Sequence, residues 1–229
     1  MATRQAAAGR PIWQEPALWW RTGITVAAAY GLTFATSSLV YFTVQSNVLV
    51  FGYFTGTLYW MLRTREVVTP APRLRGGITL WIMITGLVAH VLLNHGRNPL
   101  PGLVAGPDRY AEWATFAVHY VVPVMVVVDW VLFSRRRSAR WVHAPLWLAY
   151  PLGYALVALG RAAVYPGFNT PYPYFFLDPR GRGYLWVADQ FGLLTVEFAV
   201  LAAVVVLVNR FAGRRTGDLP DGSRPLAGP

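Results

Sequence analysis

The sequence predicts an all-α membrane protein, a bundle of six transmembrane helices with both termini in the cytoplasm. Of its 229 residues 55% are hydrophobic and only 13% are charged, and the mean hydropathy is +0.39, as expected for a chain whose main solvent is lipid. Apolar runs of about 20 residues, the length that crosses a ~30 Å hydrocarbon core as a helix, recur along the chain. Basic residues are spread unevenly between these runs.

The apolar runs define the expected spans and domain boundaries. They lie near residues 18–38, 40–62, 77–96, 112–133, 143–164 and 185–209. Since no internal repeat divides them, we expect one six-helix transmembrane domain over residues 1–211. Residues 212–229 combine glycine, proline and charge with almost nothing to bury. This tail is predicted to be disordered in the cytoplasm.

Arginine sets the expected orientation, because it supplies all 20 basic residues of the chain. When the segments between spans are assigned alternately to two sides, one side receives 15 arginines and the other receives five. The positive-inside rule then places both termini, and the loops after spans two and four, in the cytoplasm. We therefore expect a multi-pass protein of the inner (plasma) membrane.

Charge and cysteine content exclude several classes of function. The net charge of +10 is carried by arginines at span ends, not by a basic patch with interleaved aromatics, which indicates contact with lipid headgroups and no nucleic-acid partner. The chain has no cysteine, which removes disulfides, thiolate metal sites and a cysteine nucleophile. We expect no metal centre.

Polar side chains of four predicted spans fall at one depth, in the outer half of the bilayer. Such residues in span two are Thr43, Ser46 and Asn47, which share a helix face. The others lie in spans three, four and six: His90, Asn94, Thr115, His119, Asp189, Gln190 and Glu197. Ionisable groups inside a membrane are costly and usually functional, whereas serine, threonine and asparagine also serve as hydrogen-bonding contacts between helices.

This layer contains the parts of an acyl-transfer site. A hydroxyl becomes a nucleophile when a histidine at matching depth removes its proton. Asn47 or Asn94 is a candidate donor to the developing oxyanion. Spacing alone does not decide between Thr43 and Ser46 as nucleophile, or between His119 and His90 as base. Candidates to orient the imidazole are the carboxylates Asp189, Glu112 and Glu197.

The order of several motifs resembles the bacterial six-span relatives of the androgen-induced membrane protein family. These motifs are YFTVQSN in span two, HYVVPVMVVVDWVLF in span four, LWLAYPLGYALVALGR in span five and YPYFFLDPRGRGY in the last outer loop. The resemblance covers nearly all six spans. It implies a cofactor-free intramembrane hydrolase of fatty acid esters of hydroxy fatty acids, with Thr43 as nucleophile and His119 as the histidine. The chain departs from the eukaryotic pattern in Tyr120, which follows the histidine, in the position of Pro123, and in a shorter first outer loop.

Two other classes of function compete with the hydrolase. His90 and His119 on adjacent spans are a candidate axial pair for a b-type haem. Glu197 and Asp129 are buried carboxylates of the kind found in transporters or lipid-binding proteins, although we expect Asp129 to pair with Arg135 or Arg136. For the last outer loop we expect an aromatic cap at the headgroup level, with a substrate lid as the alternative.

Overall fold

The computed structural model describes residues 11–34, 38–100 and 108–212. Its regular structure in these ranges is helical, which confirms the all-α class. The long helices are α1 Pro16–Phe34, α2 Phe42–Thr64, α3 Pro72–Leu93, α4 Arg109–Phe133, α5 His143–Val164 and α6 Gly183–Phe211. Short 3₁₀ turns occupy Ile12–Gln14 and Phe175–Leu177. Apart from Ala212, the tail predicted to be disordered lies outside the described residues.

Four helices, α3 to α6, are long and apolar enough to cross a membrane. Helices α1 and α2 coincide with the first two predicted spans but are not among these four. Their polar residues explain the difference, because α1 contains Arg21 and α2 begins with the polar run that includes Gln45, Ser46 and Asn47. The described part of the chain is therefore all-helical, with four candidate membrane-spanning helices, which suggests a membrane protein.

Helix α3 is the centre of the bundle. It packs against α2, α4, α5 and α6, while α1 packs against α2 and α4. One apolar cluster contains residues of all four helices from α1 to α4, namely Ile24, Phe54, Ile82 and Val126 among others. This arrangement brings the first turn of α2 against the middle of α4.

Both α3 and α4 contain a π-helical turn, at Val88–Leu93 and Ala117–Val121. In α4 the amide of Val122 donates to the carbonyl of Ala117, five residues back. Pro123 follows directly and has no N–H to give to the carbonyl of His119, so the regular hydrogen-bond ladder is interrupted here. Such widened turns are frequent at functional sites. They carry His90 and His119, respectively.

Two glycines allow neighbouring helices to approach the π turn of α4. A Cβ added at Gly31 of α1 would lie 2.4 Å from a methyl of Val118. One added at Gly86 of α3 would lie 3.1 Å from both the His119 carbonyl oxygen and Cβ of Pro123. The backbone opened by the proline is thus packed against a glycine, which fixes the position of His119 between α1 and α3.

The ion pair of Asp129 differs from the expected one. Its carboxylate accepts from Arg21 Nε at 3.0 Å and Arg75 Nη2 at 2.5 Å, so the expected pairing with Arg135 or Arg136 is wrong. All three side chains are almost fully buried. Arg21 and Arg75 come from α1 and α3, and the bundle places them beside Asp129, whereas the two arginines closer in sequence lie beyond the end of α4.

Candidate active site

Thr43 is the second residue of α2, a helix that begins directly after Tyr41 in extended conformation. Its side chain is buried, and its Oγ1 lies 3.2 Å from Nε2 of His119 in the π turn of α4. The two residues are 76 positions apart in the chain, so only the packing of α2 on α4 brings them together. A hydroxyl within hydrogen-bonding distance of an imidazole is the basic unit of an activated nucleophile.

The other ring nitrogen fixes the tautomer of His119. Nδ1 lies 2.8 Å from the carbonyl oxygen of Thr115, and a carbonyl only accepts, so Nδ1 carries the proton. Nε2 then holds a lone pair, and Thr43 Oγ1–H donates to it. This is the orientation that a general base requires.

Asn47 and Ser46 occupy the same buried part of α2 but have different surroundings. The Asn47 amide donates to the carbonyl of Thr43 within α2, at 2.9 Å, and to that of Val118 in α4, at 3.2 Å. Both of its N–H groups are therefore used, and the second holds α2 against α4. Its amide therefore has no donor left for an oxyanion. The Ser46 hydroxyl is buried close to the Tyr150 hydroxyl and makes no hydrogen bond to His119.

His90 and Asn94 form a separate group around Tyr120. The Tyr120 hydroxyl lies 3.5 Å from His90 Nδ1 and 3.4 Å from Asn94 Nδ2, and Asn94 also donates to the carbonyl of Arg97 at 2.7 Å. The donors of Asn94 are therefore directed away from Thr43. An axial haem ligand needs a free imidazole lone pair, but in His119 that lone pair faces Thr43.

The polar residues of α6 lie apart from the Thr43–His119 pair. Asp189 and Glu197 are exposed on the bundle surface, and Gln190 is half-buried. None of the three lines the cavities beside the pair. Glu112 is closer, since it lines the cleft that contains His119.

Tyr174 was not identified from the sequence, yet its hydroxyl lies at the start of α2. The backbone N–H of Thr43 donates to the Tyr174 hydroxyl at 3.4 Å. Its ring is stacked on Phe176, with ring centroids 5.1 Å apart. Burial raises the pKa of the Tyr174 phenol, so it remains protonated. With its oxygen accepting from the Thr43 N–H, its own O–H can donate to a neighbouring acceptor, and the Thr43 side chain is one such neighbour.

The loop that carries Tyr174 enters the bundle. Tyr174, Phe176 and Leu177 are buried, whereas Tyr165 and Phe175 of the same loop are exposed, so only part of the loop fits the expected aromatic cap. The signal for this in the sequence is the density of aromatics in YPYFFL. Their contact with α2 is a long-range feature, 131 residues apart for Thr43 and Tyr174, that no local pattern indicates.

Two cavities meet at the Thr43–His119 pair. Thr43 and Tyr174 line an apolar cavity whose other walls are largely aliphatic and aromatic, with about 610 Å³ of space including its mouth. His119 lines a polar cleft together with Thr115, Asn94, Asp108 and Glu112. Ala89 and Leu93 line both spaces and so form the wall between them. The nucleophile candidate thus faces an apolar space and the base candidate faces a polar one.

Comparison with known proteins gives no independent assignment. No family model, no curated protein and no solved structure matches this chain.

Proposed function

We infer that this protein is an intramembrane lipid ester hydrolase in which Thr43 is the nucleophile and His119 the general base. The observation that carries the proposal is the 3.2 Å separation of Thr43 Oγ1 and His119 Nε2, with Nδ1 held by the Thr115 carbonyl. A threonine hydroxyl that donates to an oriented imidazole is prepared to lose its proton during attack. The resemblance to the androgen-induced membrane protein family implies the same pair.

In the first half-reaction Thr43 Oγ1 attacks the ester carbonyl carbon while its proton moves to His119 Nε2. The carbonyl electron pair moves to the oxygen, which becomes an oxyanion. Tyr174 supports this step, since its hydroxyl is buried beside Thr43 and can turn its O–H towards the developing oxyanion. When the carbonyl reforms, the bond to the alcohol oxygen breaks and His119 gives its proton to that oxygen.

In the second half-reaction water releases the acyl group from Thr43. His119, now neutral again, takes a proton from the attacking water, and a second tetrahedral intermediate forms. Its collapse breaks the bond to Thr43 Oγ1, which recovers a proton from His119. The fatty acid leaves, and the pair returns to its starting state.

The cavities indicate how a substrate is oriented. The acyl chain stays attached to Thr43 and therefore belongs in the apolar cavity that Thr43 lines. The alcohol receives its proton from His119 and therefore leaves through the polar cleft. Long-chain carboxylic esters, including fatty acid esters of hydroxy fatty acids, are the proposed substrate class. Asp108 and Glu112 in the cleft disfavour an alcohol with a carboxylate close to the ester.

The membrane arrangement is part of the proposal. We propose that all six helices span the plasma membrane and that both termini lie in the cytoplasm. The distribution of arginines, 15 on one side and five on the other, supports this orientation. The site then lies in the outer half of the bilayer, where a lipid ester can enter from the side. A reporter fused after Pro229 should behave as cytoplasmic; a periplasmic signal would overturn this topology.

Covalent labelling tests the proposed nucleophile. The purified protein is incubated with a long-chain fluorophosphonate, and the modified residue is identified by peptide mass spectrometry. We expect an adduct on Thr43 that is absent in His119→Ala, because the threonine is then no longer activated. An adduct on Ser46 would mean that the protein is still a hydrolase but that Ser46, not Thr43, is its nucleophile. Absence of any adduct would count against the hydrolase.

A further inference from the structure

A third cavity lies at the end of the bundle opposite to Thr43 and His119. Helix α2 carries the chain about 30 Å from Thr43 to this end. Val67, Val68 and Thr69 of the α2–α3 connection line one side, and Phe133, Arg135 and Ser138 line the other. Arg75 of α3 also lines the cavity, and among the residues that the structure describes no carboxylate does so. The cavity holds about 770 Å³ of space including its mouth and has a cationic lining.

The buried charges next to this cavity do not balance. Arg21 and Arg75 share the single carboxylate of Asp129, each with one ion pair. Two guanidinium groups against one carboxylate leave an excess of one positive charge. A buried charge without a counter-charge is strongly unfavourable in a low-dielectric interior. The cluster is therefore incomplete as an electrostatic unit.

Two buried N–H groups of this cluster are also unsatisfied. Arg21 Nη2 and Arg75 Nε have no acceptor among the described residues, although the side chains are only 0% and 3% exposed. Buried donors are almost always paired, and an orphan donor calls for a water or an ion. Since Arg75 lines the cavity, an anion there would lie next to the excess charge.

Arg135 supplies a second cation at the same cavity. It is exposed, and its guanidinium makes no hydrogen bond or ion pair with any residue in the described ranges. Thr69 accepts from Arg75 Nη1 at 3.4 Å, and its hydroxyl also lies beside that of Tyr53. The cavity thus combines two arginines, the residues that best suit a tetrahedral oxyanion with several acceptor oxygens.

We propose that this cavity binds a phosphate group, either the headgroup phosphate of an anionic phospholipid or a free phosphate ion, between Arg75 and Arg135. Basic pockets between helices at the cytoplasmic face commonly hold anionic headgroups. The bound phosphate neutralises the excess charge of the Arg21–Asp129–Arg75 cluster. This site is distinct from the proposed hydrolase site and does not depend on it.

The test uses the full-length protein in phosphatidylcholine nanodiscs. Phosphatidylglycerol is titrated into the lipid, or inorganic phosphate into the buffer, and binding is measured as the rise in the thermal unfolding midpoint. Arg135→Gln removes the cation at the cavity. Arg140→Gln is the matched control, since Arg140 is exposed, lies five residues further along the chain and does not line the cavity.

The wild type should bind the probe. Arg135→Gln should bind it about tenfold more weakly than the wild type, as expected for the loss of a charged donor, and Arg140→Gln should bind it as the wild type does. If phosphatidylglycerol alone gives this pattern, the ligand is a lipid headgroup; if inorganic phosphate gives it equally, the ligand is the free ion. Equal losses in both variants would mean general attraction of anions to the basic surface and would overturn the site. So would the absence of binding by either probe.

Discussion

The Nδ1 atom of His119 lies 2.8 Å from the carbonyl oxygen of Thr115, one turn earlier in α4. A backbone carbonyl thus occupies the place that a carboxylate has in many nucleophile–base–carboxylate triads. It fixes the ring and the tautomer without adding a buried negative charge to the membrane, where an ionised carboxylate is costly. The proposed site accordingly needs no carboxylate of α6.

Neutral substitutions of the α6 carboxylates test this arrangement. Asp189→Asn and Glu197→Gln should each keep kcat/KM for a lipid ester within about twofold of the wild type, because neither side chain lines the cavities beside His119. Steady-state hydrolysis by the purified variants is the measurement. A hundredfold loss in either variant would show that its carboxylate orients the imidazole.

Tyr174 is expected to stabilise the oxyanion. Tyr174→Phe removes the hydroxyl at the start of α2 and keeps the ring that stacks on Phe176. We expect kcat to fall on the order of a hundredfold with little change in KM, as for loss of an oxyanion donor. Tyr165→Phe, an exposed position in the same loop, is the control and should be neutral. A rise in KM at unchanged kcat would assign Tyr174 to substrate binding.

Filling the apolar cavity should select against long acyl chains. Ala155 of α5 lines this cavity, whereas Ala163 on the same helix is exposed and does not. Ala155→Trp should lower kcat/KM several-fold more for long-chain than for short-chain esters, because the added ring takes the space of the distal chain. Ala163→Trp should affect both alike. If both variants leave the chain-length profile unchanged, the acyl chain lies elsewhere.

Asp129 is expected to be a stability residue. Asp129→Asn leaves the guanidinium groups of Arg21 and Arg75 buried without a counter-charge, and the loss of one member of a buried ion pair costs about 3–5 kcal/mol of unfolding free energy. Reversible unfolding in mixed micelles measures the change. Asp178→Asn, in the exposed pair with Arg180, should change stability little. Similar values for the two variants would contradict the account of the buried cluster.

The helices and the meeting of Thr43 with His119 could be expected from the sequence, for different reasons. Apolar runs of span length locate α3 to α6 because burial in lipid requires them. Matching depth in spans two and four, together with the family resemblance, pointed to Thr43 and His119 lying close together. Not all residues of the predicted polar layer lie at one site, because Asp189 and Glu197 are on the exposed side of α6.

Other features depend on contacts that residue patterns do not encode. The orienting group of His119 is a backbone carbonyl, and every residue type has one. Tyr174 reaches Thr43 through a loop whose aromatics are equally suited to a membrane interface. Asp129 pairs with Arg21 and Arg75 from other helices, whereas proximity along the chain favoured Arg135 and Arg136.

The proposal that Thr43 and His119 form the nucleophile–base pair is best tested by ester hydrolysis with Thr43→Ala, His119→Ala and the double variant. Ser46→Ala, in the same part of α2, is the control. If Thr43 and His119 act as one unit, each single change should reduce kcat at least about a thousandfold, and the double variant should be little worse than either. Ser46→Ala should remain close to the wild type, since the Ser46 hydroxyl makes no hydrogen bond to His119. Full activity in Thr43→Ala would contradict the proposed mechanism.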